Sequence, residues 1–191
     1  EMRAKELNIQ IKAVLDPILS LAGFRQEGSF FVRESGDTQL VLIRYGGSSF
    51  SSLCQFTRFM LCFRHRFLRD LEEQIPLSHP LNGHAYPFKI RPSDLGRIRV
   101  SRWKYRFELN PQSYDEVEYG SMDDAGPMLH KMGTLIATKG VEWANSLTIE
   151  KATRLLERSD GDAWCESLWL EDYRNRANQN LLRQHSDQQS K

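Results

Sequence analysis

The chain has 191 residues, 40% of them hydrophobic and 27% charged, which is the composition of one globular domain with enough apolar material for a core. Lys and Arg number 26 against 25 Asp and Glu, so the net charge of +1 supplies no overall drive toward nucleic acid or an anionic membrane and leaves only local patches to act. Cys54, Cys62 and Cys165 are odd in number and lack Cys-x-x-Cys spacing, which sets aside a disulfide framework and a zinc ribbon. Cys54 and Cys62 lie in or beside an apolar strand, where cysteine behaves as a small buried hydrophobe. No apolar run reaches bilayer length, and Glu1–Lys5 lacks the apolar core of a signal peptide, so a cytoplasmic location is expected.

Residues 3–22 place Leu7, Ile11, Val14, Leu15, Ile18 and Ala22 on one helical face, and Gly23 follows as a C-terminal signal. Pro17 predicts a kink there, or a second helix capped by Asp16. Three strand-like runs form a meander over 28–64: Ser29–Glu34, Thr38–Tyr45 and Gln55–Phe63. Ser35-Gly36-Asp37 reads as a tight turn between the first two. The third run is apolar on both parities and predicts a central strand covered on both faces. A short helix is expected over Arg66–Gln74. Residues 75–96, with Pro76, Pro80, Pro87 and Pro92, read as one long irregular loop.

Arg97–Leu109 reads as a second β region with Trp103, Tyr105 and Phe107 on one parity and Arg102, Lys104 and Arg106 on the other. Helices are expected over 124–139, with Gly140 as C-cap, and over Thr148–Arg158. A last helix over Trp164–Leu182 carries Cys165, Trp169, Tyr173, Ala177 and Leu181 at i, i+4 spacing. The polar 185–191 tail is expected to fray. The fold expected is a single α+β domain over 1–184: an antiparallel sheet of about four or five strands with helices packed mainly on one face.

The helix followed by Gly23-Phe24, then Phe30-x-Val32-Arg33 and Gly36-Asp37 leading into a hydrophobic strand, resembles an uncharacterised bacterial family, domain-of-unknown-function family 4304. Leu129–Ile136 followed by Gly140-Val141-Glu142-Trp143 and a short helix is similar to that family's C-terminal part. The resemblance covers roughly residues 5–158, and its motifs are a helix cap, a turn and packing aromatics. It implies no catalytic residues. By analogy with small bacterial α+β domains encoded beside toxins, it implies an immunity-type role.

Motifs for chemistry are sparse. The histidines at 65, 79, 84, 130 and 185 are scattered and no His-Glu-x-x-His occurs, so no metal is expected. Asp115–Asp124 places Gly120 at the sixth position of a calcium loop, but Val117 and Tyr119 stand where oxygen ligands are needed, and a solvated acidic loop is the expectation. Gly46–Ser52 lacks the Gly-Lys-Ser/Thr ending of a phosphate loop, and no Gly-x-Ser-x-Gly is present.

The sharpest positive feature is the run that holds Arg99, Arg102, Trp103, Lys104 and Arg106 with no acid among them. Aromatic and Arg side chains favour interface hot spots, whereas basic groups with stacking rings also suit single-stranded nucleic acid. Arg64 and Arg66, with Arg69, form a second basic cluster. Asp115, Glu116, Glu118, Asp123 and Asp124 form an acidic block suited to a basic partner. The reading is a non-enzymatic, cofactor-free cytoplasmic module that binds a protein partner, with toxin neutralisation by an immunity protein as its specific form. Nucleic-acid binding through residues 97–107 stands second. A small hydrolase with a spatially assembled site stands third.

Overall fold

The computed structural model describes residues 3–45, 56–71, 86–97, 116–118, 123–158 and 164–189. It shows an α+β fold. Helix α1 (Ala4–Leu21) opens it, with Glu6 Oε2 accepting the Arg3 backbone N–H at 2.7 Å. Its buried side is Leu7, Ile11, Leu15 and Leu19, the face expected from the spacing. Pro17 lies inside an unbroken helix, so α1 is not divided there. Asp16 is not a cap either; it accepts a hydrogen bond from the Ser20 hydroxyl one turn on. Gly23 at φ 85° ends the helix, with the Phe24 N–H donating back to the Leu19 carbonyl.

The sheet is antiparallel throughout: β1 (Arg25–Glu27), β2 (Phe30–Ser35), β3 (Thr38–Tyr45), β4 (Phe56–His65), β5 (Phe88–Ile90) and β6 (Glu116–Glu118). Gly28 at φ 61° and Gly36 at φ 56° begin the two tight turns, a conformation that costs glycine no Cβ clash. β1 was not expected from the sequence, because its three exposed residues carry no apolar alternation. β3 pairs with β4 along its full length, from Thr38↔His65 to Tyr45↔Arg58. β5 and β6 then share the other edge of β4, with Phe63↔Phe88 at one end and Phe56↔Glu118 at the other.

The segment read as one irregular loop therefore holds a strand, followed by a 3₁₀ helix over Pro92–Arg97. Prolines flank the strand without entering it, which is where proline is tolerated. Part of the acidic block is strand β6 rather than a solvated loop. Of the helix expected over Arg66–Gln74, the described residues 66–71 form a turn at 66–68, with the Leu68 N–H donating to the His65 carbonyl, and 72–74 lie outside the described residues. The basic second β region lies outside the described residues, apart from the Arg97 backbone that closes the 3₁₀ helix.

Helix α2 (Gly126–Leu135) continues through a π-helical turn (Ile136–Gly140) directly into α3 (Val141–Ser146). Gly140, read as a C-cap, is instead inside this run at φ −65°. It and Gly133 allow close approach. A Cβ on Gly133 would stand 3.0 Å from Leu15 Cδ2, and one on Gly140 2.8 Å from Leu61 Cδ2. Helix α4 (Ile149–Arg158) starts as expected, with the Thr148 hydroxyl accepting the Lys151 N–H at 3.2 Å. Helix α5 (Trp164–Gln189) runs past Leu182, where the apolar pattern stops.

All five helices lie on one face of the sheet. Their buried side chains join Phe31, Leu40, Leu42, Phe59, Leu61, Phe63, Phe88 and Ile90 in the main core. The opposite face carries a smaller cluster of Phe30, Val32, Val41, Ile43, Cys62 and Tyr86. Strands β3 and β4 are thus buried on both sides, as their near-continuous apolar sequences require. Among the described residues no helix is long and apolar enough to cross a membrane.

Candidate functional site at the end of the sheet

Of the residues singled out in the sequence, Arg99, Arg102, Trp103, Lys104, Arg106 and Asp115 lie outside the described residues. Glu116 and Glu118 occupy β6, in register with Arg58 and Phe56. Asp123 and Asp124 are exposed just before α2, and Asp124 Oδ1 accepts the Gly126 N–H at 2.8 Å, a local turn that starts the helix. The three arginines of the second basic cluster have separate roles. Arg64 donates to the Leu68 carbonyl at 2.7 Å. Arg69 clasps Asp172 through its backbone N–H, Nε and Nη2, at 2.8, 2.9 and 2.7 Å, and reaches Glu171 at 2.9 Å. Arg66 is exposed in the turn, its backbone N–H donating to the Asp37 carbonyl; Glu34 is held below its ordinary range chiefly by the Arg25 hydrogen bond, with a small added pull from Arg66.

These contacts gather at the end of the sheet where the β2–β3 turn, the end of β4 and α5 meet. At the centre is His65. It is the last residue of β4 and has the same parity as Phe59, Leu61 and Phe63, so the strand delivers it to the helix-covered face. Only 4% of it is exposed. Its Nδ1 is hydrogen-bonded to the Tyr173 hydroxyl of α5 at 2.8 Å. Phe63 and Tyr173 meet the imidazole edge-on, at 5.1 and 5.4 Å between centroids, and Phe67 lies tilted by 33° at 5.4 Å. The Arg176 guanidinium sits 5.3 Å from the Phe67 ring centre and donates to Asp37 Oδ2 at 3.0 Å.

Burial sets the electrostatics of this centre. Desolvation pushes the His65 pKa down to about 4 against a weaker opposing pull from Asp37, so the ring is neutral at pH 7. The same cause raises the Tyr173 phenol well above its ordinary value. His65 and Tyr173 therefore meet as two neutral groups in an aromatic box. On the other face of the sheet, burial pushes the Cys62 thiol up to about 12, which removes it as a nucleophile near neutrality. Tyr86 is raised likewise, its hydroxyl donating to Gln39 Oε1 at 2.8 Å. Perturbed proton equilibria mark functional sites when a substrate can reach them. Here they sit at buried side chains, so their chemistry is that of a titratable structural contact. Among the described residues no three His, Cys, Asp or Glu side chains gather to hold a metal.

A rim of ion pairs follows the elements that meet here, with the Arg25 pairs on the sheet face opposite His65. Arg25 bridges Glu27 at 2.6 Å and Glu34 at 3.2 Å, Arg176 meets Asp37, Arg69 meets Glu171 and Asp172, and Arg174 meets Glu157 at 3.1 Å. Sequence reasoning did not single out His65, Asp37, Asp172, Tyr173 or Arg176 as a group. The i, i+4 stripe signalled the burial of Tyr173, and strand parity signals that of His65 only once β4 is extended past Phe63, but nothing local signalled that residues more than a hundred positions apart would meet. Comparisons with protein-family models, with curated proteins and with solved structures find no match to this chain.

Proposed function

We propose that this chain is a non-enzymatic module that binds a protein partner through the charged rim at the end of the sheet, acting in the cytoplasm as an immunity-type protein that blocks a cognate bacterial toxin. The observation that carries this reading is the rim itself. Charges of alternating sign stand on a rigid base of sheet and helix, and such a pattern gives a partner specificity and register more than bulk affinity. Within it Arg66 makes no side-chain hydrogen bond among the described residues and is exposed, which leaves its planar fork available to a partner's carboxylate. The buried free thiol of Cys62 suits a reducing compartment.

The test is a pull-down from host lysate with wild-type and Arg66→Glu protein, at low and moderate salt, with and without nuclease. One stoichiometric protein that survives nuclease, and that Arg66→Glu retains at least about tenfold less well, is the expected result; that loss corresponds to removal of about 1.4 kcal/mol of binding. Equal capture by both proteins rejects the rim as the interface. Turnover of a substrate by the isolated chain rejects the non-enzymatic reading. Recovery of nucleic acid that is lost on raising the salt puts the basic run 97–107 in its place.

A further inference from the structure

Helix α5 is held to the sheet by a compact set of contacts. Among its described side chains, Trp169 and Tyr173 are the ones buried in the core, and from Asn178 to Leu182 every residue is exposed. Among the described residues it contributes no hydrogen bonds to the sheet ladder. Its polar ties to the sheet end among the described residues include the His65–Tyr173 hydrogen bond, the Arg69 clasp on Asp172 and Glu171, and the Arg176–Asp37 pair. The first of these is buried and the others are partly or largely solvated, which limits their worth.

We propose that the His65–Tyr173 contact is an acid-sensitive latch: protonation of His65 releases α5 from the end of the sheet while the strands stay paired.

The surroundings of the imidazole explain the direction. From its own strand and the turn that follows, Arg64, Arg66 and Arg69 are cations. From α5 come the phenol of Tyr173, the guanidinium of Arg176 and the carboxylate of Asp172, which Arg69 already engages. From the β2–β3 turn comes Asp37, which Arg176 already pairs. β5 presents Phe88 toward this centre, and the neighbouring Lys89 has the opposite parity. α3 contributes the Trp143 ring behind Phe63, while Glu142 is tied to Lys139 at 2.7 Å. Among the carboxylates named here, a new positive charge on His65 thus finds only the weaker pull of Asp37, already paired with Arg176, and it sits among aromatic rings. Release of α5 gives it water. The released state takes up the proton near the ordinary 6.5, whereas the docked state holds out to about pH 4. Docking is therefore at full strength above about pH 6.5, weakens as pH falls toward 4, and changes no further below that. The separation of the two values allows the released population to rise on the order of a hundredfold over that window.

Amide hydrogen exchange on the full chain, corrected for intrinsic pH dependence, at steps from pH 7.5 to 4.5, tests this. The expected result is a loss of protection in residues 169–177 on the order of a hundredfold, with residues 40–43 of β3 changing far less, and a flat profile in His65→Gln. Protection of α5 that stays constant to pH 4.5, loss of equal size in α5 and β3, or an unchanged profile in His65→Gln each overturns the latch. If His65→Gln does not fold, Tyr173→Phe decides: selective loss of α5 protection already at pH 7.5 supports the proposal, and wild-type protection there rejects it. None of these readouts depends on a partner, so the latch and the rim stand or fall separately.

Discussion

At the scale of single residues, the tightest constraint is Gly140. It lies in a π-helical turn pressed against Leu61, a side chain with no exposure, so the methyl group of alanine has to displace core atoms. Alanine's better helix propensity recovers up to about 1 kcal/mol, but overpacking of this kind costs about 1–3 kcal/mol. Gly140→Ala is therefore expected to lower the urea midpoint, with a net loss on the order of 1–2 kcal/mol. A variant at least as stable as wild type shows that α3 moves away from the sheet without penalty. This glycine illustrates what a sequence hides. Followed by Val141 and preceded by an apolar helical face, Gly140 has the pattern of a helix end, and only packing against a strand eighty residues earlier reveals it as a contact point. His65 is the complementary case: once β4 is extended past Phe63, its parity with Phe59, Leu61 and Phe63 makes its burial readable, while its partner on α5 is not.

At the scale of elements, Pro17 and α5 give opposite lessons. Pro17 is exposed within α1, where it removes one backbone donor. The helix continues because Leu15 and Leu19 on either side are fully buried, and tertiary packing outweighs local preference. Pro17→Ala is expected to raise stability by about 1 kcal/mol or more in urea unfolding; a lower midpoint means that the proline's restraint on the unfolded chain dominates. For α5, the Arg69–Asp172 clasp differs from the other ion pairs in having three hydrogen bonds and an Asp172 side chain only 13% exposed. Asp172→Ala is expected to cost about 1–3 kcal/mol, because it strands a guanidinium and a backbone donor. Glu150→Ala, breaking a 3.8 Å pair on exposed α4, is expected to cost under about 0.5 kcal/mol. Equal effects from the two show that the clasp contributes no more than an ordinary surface pair.

At the scale of the whole molecule, the α+β layout follows from period: apolar spacing of three to four residues in α1, α2 and α4, and near-continuous apolar strands at β3 and β4. The strands missing from a reading of the sequence were β1, β5 and β6, each three residues long. Such strands are too short to show a period of two, and they exist because a longer strand offers them a ladder. The same limit applied to the site. Its members come from a turn, a strand end and the last helix, and no local pattern couples them.

The edge that β5 and β6 divide between them also has a consequence in time. Ribosomes add residues at about 5–20 per second. The ten-residue strand Phe56–His65 is complete well before its outer edge is closed, because closure at Phe56 awaits Glu118, about fifty residues later. For several seconds each nascent chain displays a strand rich in Phe, Leu and Met with one row of backbone donors and acceptors unfilled, the form most prone to join its neighbours on a polysome. Slower translation across residues 66–118 lengthens that interval and is expected to lower the yield of native protein.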